Sequence, residues 1–109
     1  MRSFPVLFPD PDWGKHPIDP SSGKLVDGDI EVQTIQVLAN IKAVVEKAGA
    51  SMDDIVKTTI FLKNLGDFPL VNKLYESAFN APYPARSTIE VSNLPLDSKI
   101  EIEAIVTLK

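Results

Sequence analysis

The sequence predicts an α+β domain in which two helices cover one face of a sheet. Three observations lead there. After a proline-rich start, the periodic segments run helix, strand, helix, strand, strand. The helical segments repeat apolar residues at spacings of three and four, and the strand segments alternate with period two. No repeat, low-complexity stretch or long linker divides the 109 residues, a length typical of one domain.

Five of the nine prolines fall in the first twenty residues. Proline removes a ladder donor and fixes φ, so Met1–Pro20 reads as an irregular arm or, at best, a short edge strand. Residues 1–16 are accordingly set apart as an arm or edge strand, and 17–109 as a single domain. Asp19-Pro20-Ser21-Ser22-Gly23 is a turn signal. Asp29 is placed to cap a helix whose apolar face is expected to carry Ile35, Leu38, Ile41, Val45 and Ala48, with Gly49 at the left-handed position beyond its end. Ser51–Asp54 is a second turn. Ile55–Lys63 is β-branched, with Val56, Thr58, Ile60 and Leu62 on one face. Asp67 is expected to cap a second helix that tolerates Pro69 in its first turn and shows the stripe Phe68, Val71, Tyr75, Ala78, Phe79. Pro82 and Pro84 precede a strand from Arg86 to Val91. After a loop containing Pro95 comes a strand over Lys99–Leu108. It places Ile100, Ile102, Ala104, Val106 and Leu108 on one face, and Glu101, Glu103, Ile105 and Thr107 on the other. Two carboxylates beside Ile105 make that second face neither plainly core nor plainly surface. A subunit interface is one way to satisfy it.

Composition narrows the function. Apolar residues make up 44% and charged residues 24%, ordinary globular values, and the net charge is −4 with the signs interspersed. Clustered Lys and Arg are missing, so nucleic acid is not an expected partner. With no Cys and one His, thiolate chemistry, disulfides and a histidine-rich metal centre within one chain are excluded. No apolar run approaches the roughly 20 residues of a membrane span. Pro5, Pro9, Asp10 and Pro11 interrupt any signal-like stretch. A cytoplasmic protein without a membrane partner is expected.

Few residues are suited to chemistry. Pro84-Ala85-Arg86 brings an arginine to the start of a strand, where its planar fork can hold a carboxylate through two parallel N–H bonds. Spacing alone favours a surface arginine paired with a nearby glutamate. Glu101 and Glu103 share a strand face roughly 7 Å apart. One of two such carboxylates can serve as a general acid or base, or both can be a solvated face that blunts an edge. Asn72 sits beside the stripe of the second helix, suited to a hydrogen bond or simply exposed. His16 and Trp13 are expected as solvated residues of the arm.

Taken in order, these residues resemble a known family. Pro84-Ala85-Arg86-Ser87-Thr88-Ile89-Glu90-Val91, then Leu94-Pro95, then Ile100-Glu101-Ile102-Glu103-Ala104-Ile105 resembles the C-terminal signature of the reactive-intermediate deaminase (RidA/YjgF) family. Gln33-Thr34, Asn40-Ile41, Ala48-Gly49, Val56-Lys57-Thr58-Thr59, and Asp67-Phe68 with Asn72 and Tyr75 fit its middle. The resemblance implies a chorismate-mutase-like fold and a homotrimer with a ligand pocket in each cleft between subunits. It implies hydrolysis of 2-iminobutanoate and 2-iminopropanoate, or their enamines, to 2-oxo acids and ammonia without a cofactor or metal. Arg86 would then grip the carboxylate of the small 2-imino or 2-oxo acid. Thr88 and Asn72 would complete the binding site, and Glu101 would position or activate the attacking water.

Two departures stand out. The family's early Gly-Pro-Tyr-Ser-Gln segment has no counterpart, and its Ser-Gly-Gln-Ile-Pro register reads Trp13-Gly14-Lys15-His16-Pro17. Thr88 stands where many members carry Cys, so it keeps a hydrogen-bonding hydroxyl but no oxidisable thiol. The missing tyrosine and serine leave open a module that binds small carboxylates without turnover. Ribonuclease or translation-inhibitor activity, associated with some relatives, is disfavoured by the acidic balance.

Overall fold

The computed structural model describes residues 2–5 and 16–108. Its elements are β1 (Arg2–Pro5), β2 (Ile18–Asp19), β3 (Lys24–Leu25), α1 (Ile30–Lys47), β4 (Ile55–Leu62), α2 (Phe68–Ala78), β5 (Ala85–Glu90) and β6 (Ile100–Leu108). The α+β class and the pair of helices on one sheet face are as the sequence predicts. The segment expected as a turn at Asp19–Gly23 closes the small β2–β3 hairpin, and Gly23 takes the left-handed conformation at φ 72°.

Asp29 caps α1 as expected, accepting from the Val32 amide at 3.0 Å, and Gly49 is left-handed at φ 86°. The buried face is nevertheless offset from the one expected. Val37, Leu38, Ile41 and Val45 are buried, whereas Ile35 and Ala48 are exposed. Thr34 occupies the buried position instead of Ile35. Its hydroxyl is satisfied inside the helix by donating to the Ile30 carbonyl at 2.6 Å, so a polar side chain enters the core at little cost.

In β4 a register shift between Ile55 and Lys57 bulges the strand. Ile55 is buried and Val56 is 46% exposed, which corrects the expected face. An extra residue in one strand flips the alternation before it. Thr58, Ile60 and Leu62 alternate inward as predicted. Asp67 does not cap α2 through its side chain. A short 3-10 turn, Leu65–Asp67, runs directly into the helix and leaves Asp67 with helical dihedrals, φ −78° and ψ −9°. A capping side chain needs an extended backbone. Asn64 takes that role one turn earlier, accepting from the Gly66 amide at 2.9 Å, and Glu90 accepts from the Leu65 amide at 2.8 Å.

The main sheet runs β1-β6-β4-β5. β6 is antiparallel to both β1 and β4, whereas β5 is parallel to β4. A parallel neighbour requires a crossover, which α2 supplies. The chain re-enters the sheet through a cis Ala81–Pro82 peptide. Val37, Leu38, Ile41 and Val45 of α1 and Val71, Tyr75 and Phe79 at α2 pack with Ile60, Leu62, Ile100, Ile102, Ala104 and Val106 of the sheet in one core. Phe61, Ile89, Ile105 and both Glu101 and Glu103 lie on the sheet face away from the helices, by strand alternation and register. The Leu108 side chain expected on the core face lies outside the described residues.

Between β5 and β6, Leu96 and Asp97 are both left-handed, at φ 58° and 56°. Such residues cost on the order of 1–3 kcal/mol each unless their surroundings hold them. Lys63 donates to the Asp97 carboxylate. That hydrogen bond, with the lysine charge behind it, holds the Asp97 carboxyl below its usual range. The folded value is the lower one, so the contact stabilises the fold above the ordinary carboxylate pKa. The contribution is lost as pH falls through the lowered value. Asp97→Asn is expected to flatten this acid limb in equilibrium denaturation between about pH 5 and 2. Near neutrality the change is expected to be small, because the pair is exposed.

Candidate functional site

Arg86 is the second residue of β5 and pairs in register with Thr58 of β4. It therefore points to the helix side of the sheet, towards α2. Phe68, Asn72 and Tyr75 recur there at spacings of four and three and share one helix face. The guanidinium carbon lies 5.1 Å from the Phe68 ring centroid and 5.0 Å from that of Tyr75. Both distances are within cation–π range. One guanidinium N–H donates to the Asn72 carbonyl oxygen. Asn72 in turn donates to Glu76 Oε1 at 3.1 Å, which fixes which end of its amide faces the arginine. The side chain is exposed yet held by two rings and an amide, and its remaining donors stay available to a ligand.

Tyr75 ties this clamp to the core. It is 2% exposed, its hydroxyl is 2.7 Å from Thr58 Oγ1, and its ring is 4.6 Å from that of Phe79. Burial pushes the phenol above its usual pKa, with Thr58 and the Arg86 charge acting the other way. It therefore stands as a neutral hydrogen-bonding group at physiological pH. An open cleft of about 310 Å³ is lined by Tyr75, Glu76, Tyr83, Pro84 and Arg86. Its floor is cationic and aromatic, with one carboxylate at the side.

Thr88 lies two residues along β5 from Arg86 and so on the same face, in register with Ile60. Glu101 is in register with Phe61, an odd number of residues from Thr58. It therefore lies on the opposite sheet face from Arg86. Within one chain the structure brings Arg86, Asn72 and Thr88 to one side and does not bring Glu101 to them. Asn72, expected to touch substrate, has its amide engaged by Arg86 and Glu76. Phe68, Tyr75, Glu76 and Tyr83 were not singled out from the sequence as site residues. The helical spacing of Phe68, Asn72 and Tyr75 was the available signal, but it reads as a packing stripe until the parallel strand is placed against it.

His16 corrects a second expectation. It is buried at 7% exposure, and its Nδ1 lies 3.5 Å from Glu101 Oε1. Buried Asn40 holds the segment by donating to the carbonyls of His16 and Ile18 at 3.1 and 2.7 Å. Trp13, also expected in the solvated arm, lies outside the described residues. Among the described residues, no group of three His, Asp or Glu is placed to hold a metal ion. No helix among them is long and apolar enough to cross a membrane.

The sequence profile described as "Endoribonuclease L-PSP" matches residues 13–108. A 2-iminobutanoate/2-iminopropanoate deaminase of Salmonella typhimurium is 53% identical over 95 residues, covering 84% of this chain and 73% of that protein. Among solved structures, the YJGF gene product of E. coli matches with a TM-score of 0.85 and 44% identity, over 100% of this chain and 83% of that one. E. coli TdcF with bound serine matches with a TM-score of 0.82 and 40% identity, over 90% and 79%.

Proposed function

The chain belongs to the Endoribonuclease L-PSP family, which includes the RidA deaminases, and from that premise we propose that it hydrolyses small 2-imino acids to 2-oxo acids and ammonia without a cofactor. The observation that carries the reading is the arginine clamp, in which Asn72, Phe68 and Tyr75 hold Arg86 at the edge of an open cleft. A fixed guanidinium fork takes a carboxylate with little loss of freedom on binding. The imine carbon is then held while water attacks, and holding supplies a large share of a modest rate gain. Thr88 contributes a hydroxyl beside the clamp. Asn72 acts by holding Arg86.

Glu101 is assigned to the attacking water. Because it lies on the other sheet face from Arg86, a site using both draws them from different subunits. A homotrimer with its sites in the clefts between subunits fits this requirement. The apolar Phe61, Ile89 and Ile105 on the sheet face away from the helices fit it as well. Hydrolysis is tested by generating 2-aminoacrylate in the presence of the purified protein and following ammonia and 2-oxo acid. Release faster than the uncatalysed reaction is expected. No acceleration by a folded trimer would sink the proposal, and a monomer by sedimentation would remove the shared site.

A second reading is carboxylate binding without turnover. The serine bound to TdcF favours it, as does the absence of the family's tyrosine and serine positions. Calorimetric titration with 2-oxobutyrate separates the two: binding without ammonia release selects the second reading. The ribonuclease activity named in the family's description is disfavoured by the net charge of −4.

A further inference from the structure

We propose that His16 is a positioning residue for Glu101, so that the reactivity of this carboxylate follows the protonation of the chain's single histidine. The proposal rests on the role given to Glu101 in the proposed function. Its observation is separate: a buried imidazole stands 3.5 Å from Glu101 Oε1.

The placement is built. The His16 carbonyl accepts from the Ile18 amide at 2.8 Å and from Asn40 Nδ2 at 3.1 Å. Asn40 is 2% exposed, and Gln36 donates to its carbonyl at 2.8 Å, which sets the amide's orientation. The backbone that carries the imidazole is thus anchored to α1, and the ring lies against β6. The His16 and Glu101 side chains are only 9% and 12% exposed, so solvent screens the pair weakly. At this separation the contact is longer than a good hydrogen bond and gains its strength when the imidazole is charged.

Other polar and charged groups stand on the neighbouring described elements. α1 presents Gln36 and Asn40, which are neutral. The Asp19 carboxylate of β2 is turned to Ser21 at 2.7 Å. On β6, Glu103 lies two residues further along the same face. Lys57 on β4 shares that face by alternation, as does Lys63 just beyond the strand, and Lys63 is paired with Asp97.

In the hydrolysis, the water oxygen bonds to the C=N carbon as the water's proton passes to the Glu101 carboxylate. That proton then returns to nitrogen, which has taken the C=N electron pair, to give the carbinolamine. The hydroxyl proton next passes through Glu101 to nitrogen, C=O forms as the C–N bond breaks, and ammonia leaves. A protonated imidazole beside Glu101 stabilises the carboxylate and makes it a weaker base. A neutral imidazole leaves its basicity intact. Turnover therefore falls as pH drops through the His16 titration, histidine being the side chain that changes charge near neutrality.

The test uses the full chain and two readouts. With one histidine in the sequence, the imidazole Cε1–H proton resonance is unambiguous in an NMR pH titration. Glu101→Gln is expected to lower its midpoint by about one pH unit. Glu103→Gln, which keeps Glu101, is expected to move it by less than half as much. In parallel, the acid limb of kcat/KM is expected to disappear in His16→Gln and His16→Ile, while the rate on the alkaline side is retained. A midpoint unmoved in Glu101→Gln, or an acid limb surviving in His16→Gln, overturns the role of the histidine. If Glu101→Gln moves the midpoint but keeps full turnover, the role assigned to Glu101 fails and takes this proposal with it. An unmoved midpoint with turnover abolished in Glu101→Gln removes only the histidine's part.

Discussion

Arg86→Ala is expected to lower kcat/KM for 2-imino acid hydrolysis by about 100-fold, equivalent to about 3 kcal/mol. In the proposed reaction, removing the guanidinium would take away two charge-assisted bonds to the substrate carboxylate and leave that carboxylate unpaired in the cleft. The thermal midpoint should barely change, because Arg86 is exposed and packs against ring faces rather than within the core. This split between activity and stability distinguishes a ligand clamp from a structural residue. Arg86→Lys keeps the charge but loses the planar fork, so it should fall between wild type and alanine. A rate within twofold of wild type for Arg86→Ala would move the substrate carboxylate to some other residue.

Tyr75→Ala carries the largest expected effect on stability. The residue is 2% exposed, packs its ring at a tilt against Phe79 and bonds to Thr58. Deleting a buried aromatic costs roughly 3–5 kcal/mol through lost transfer energy and the remaining cavity. Against a total of about 5–15 kcal/mol that loss is severe. Tyr75→Phe keeps the ring and strands only the buried Thr58 hydroxyl, at about 1–3 kcal/mol. Denaturant midpoints for the three proteins at matched concentration check the order, since any self-association makes apparent stability concentration-dependent. Tyr75→Phe should also retain the arginine's ring contact. If it loses as much activity as Arg86→Ala, the phenol itself has a part in the chemistry.

The secondary structure was legible where the local signal is self-contained. Asp29 before an apolar period and Gly49 after it bound α1 without reference to anything distant. The alternation of Ile100, Ile102, Ala104 and Val106 likewise identifies the core face of β6. Errors arose where a neighbour decides. Val56 fits an alternating pattern, but its exposure follows from a bulge that only pairing with β6 reveals. Ile35 is apolar at an acceptable helical spacing, yet Thr34 is buried because its hydroxyl finds a carbonyl one turn back. Asp67 has the right residue type for a cap and the wrong backbone, because the preceding turn is already helical.

For the site, composition and spacing alone left Arg86 a plain strand-start charge, and only the ordered resemblance singled it out. Its clamp depends on a parallel pairing between β4 and β5 that no local pattern encodes. Nor does any pattern place the histidine of a proline-rich arm beside a carboxylate on the last strand. Both are long-range consequences of the chain's path.

The crossover from β4 through α2 to β5 has a consequence for how this chain can vary. Thr58, Phe68, Asn72, Tyr75 and Arg86 all belong to that one uninterrupted stretch. His16 and Pro17, the described part of the motif that departs furthest from the family, lie outside that stretch. Mutational drift in the early segment can therefore rewrite what surrounds Glu101 while the proposed carboxylate grip is inherited intact. Selection could retune the timing of proton transfer in such a protein without having to reinvent recognition of the acid.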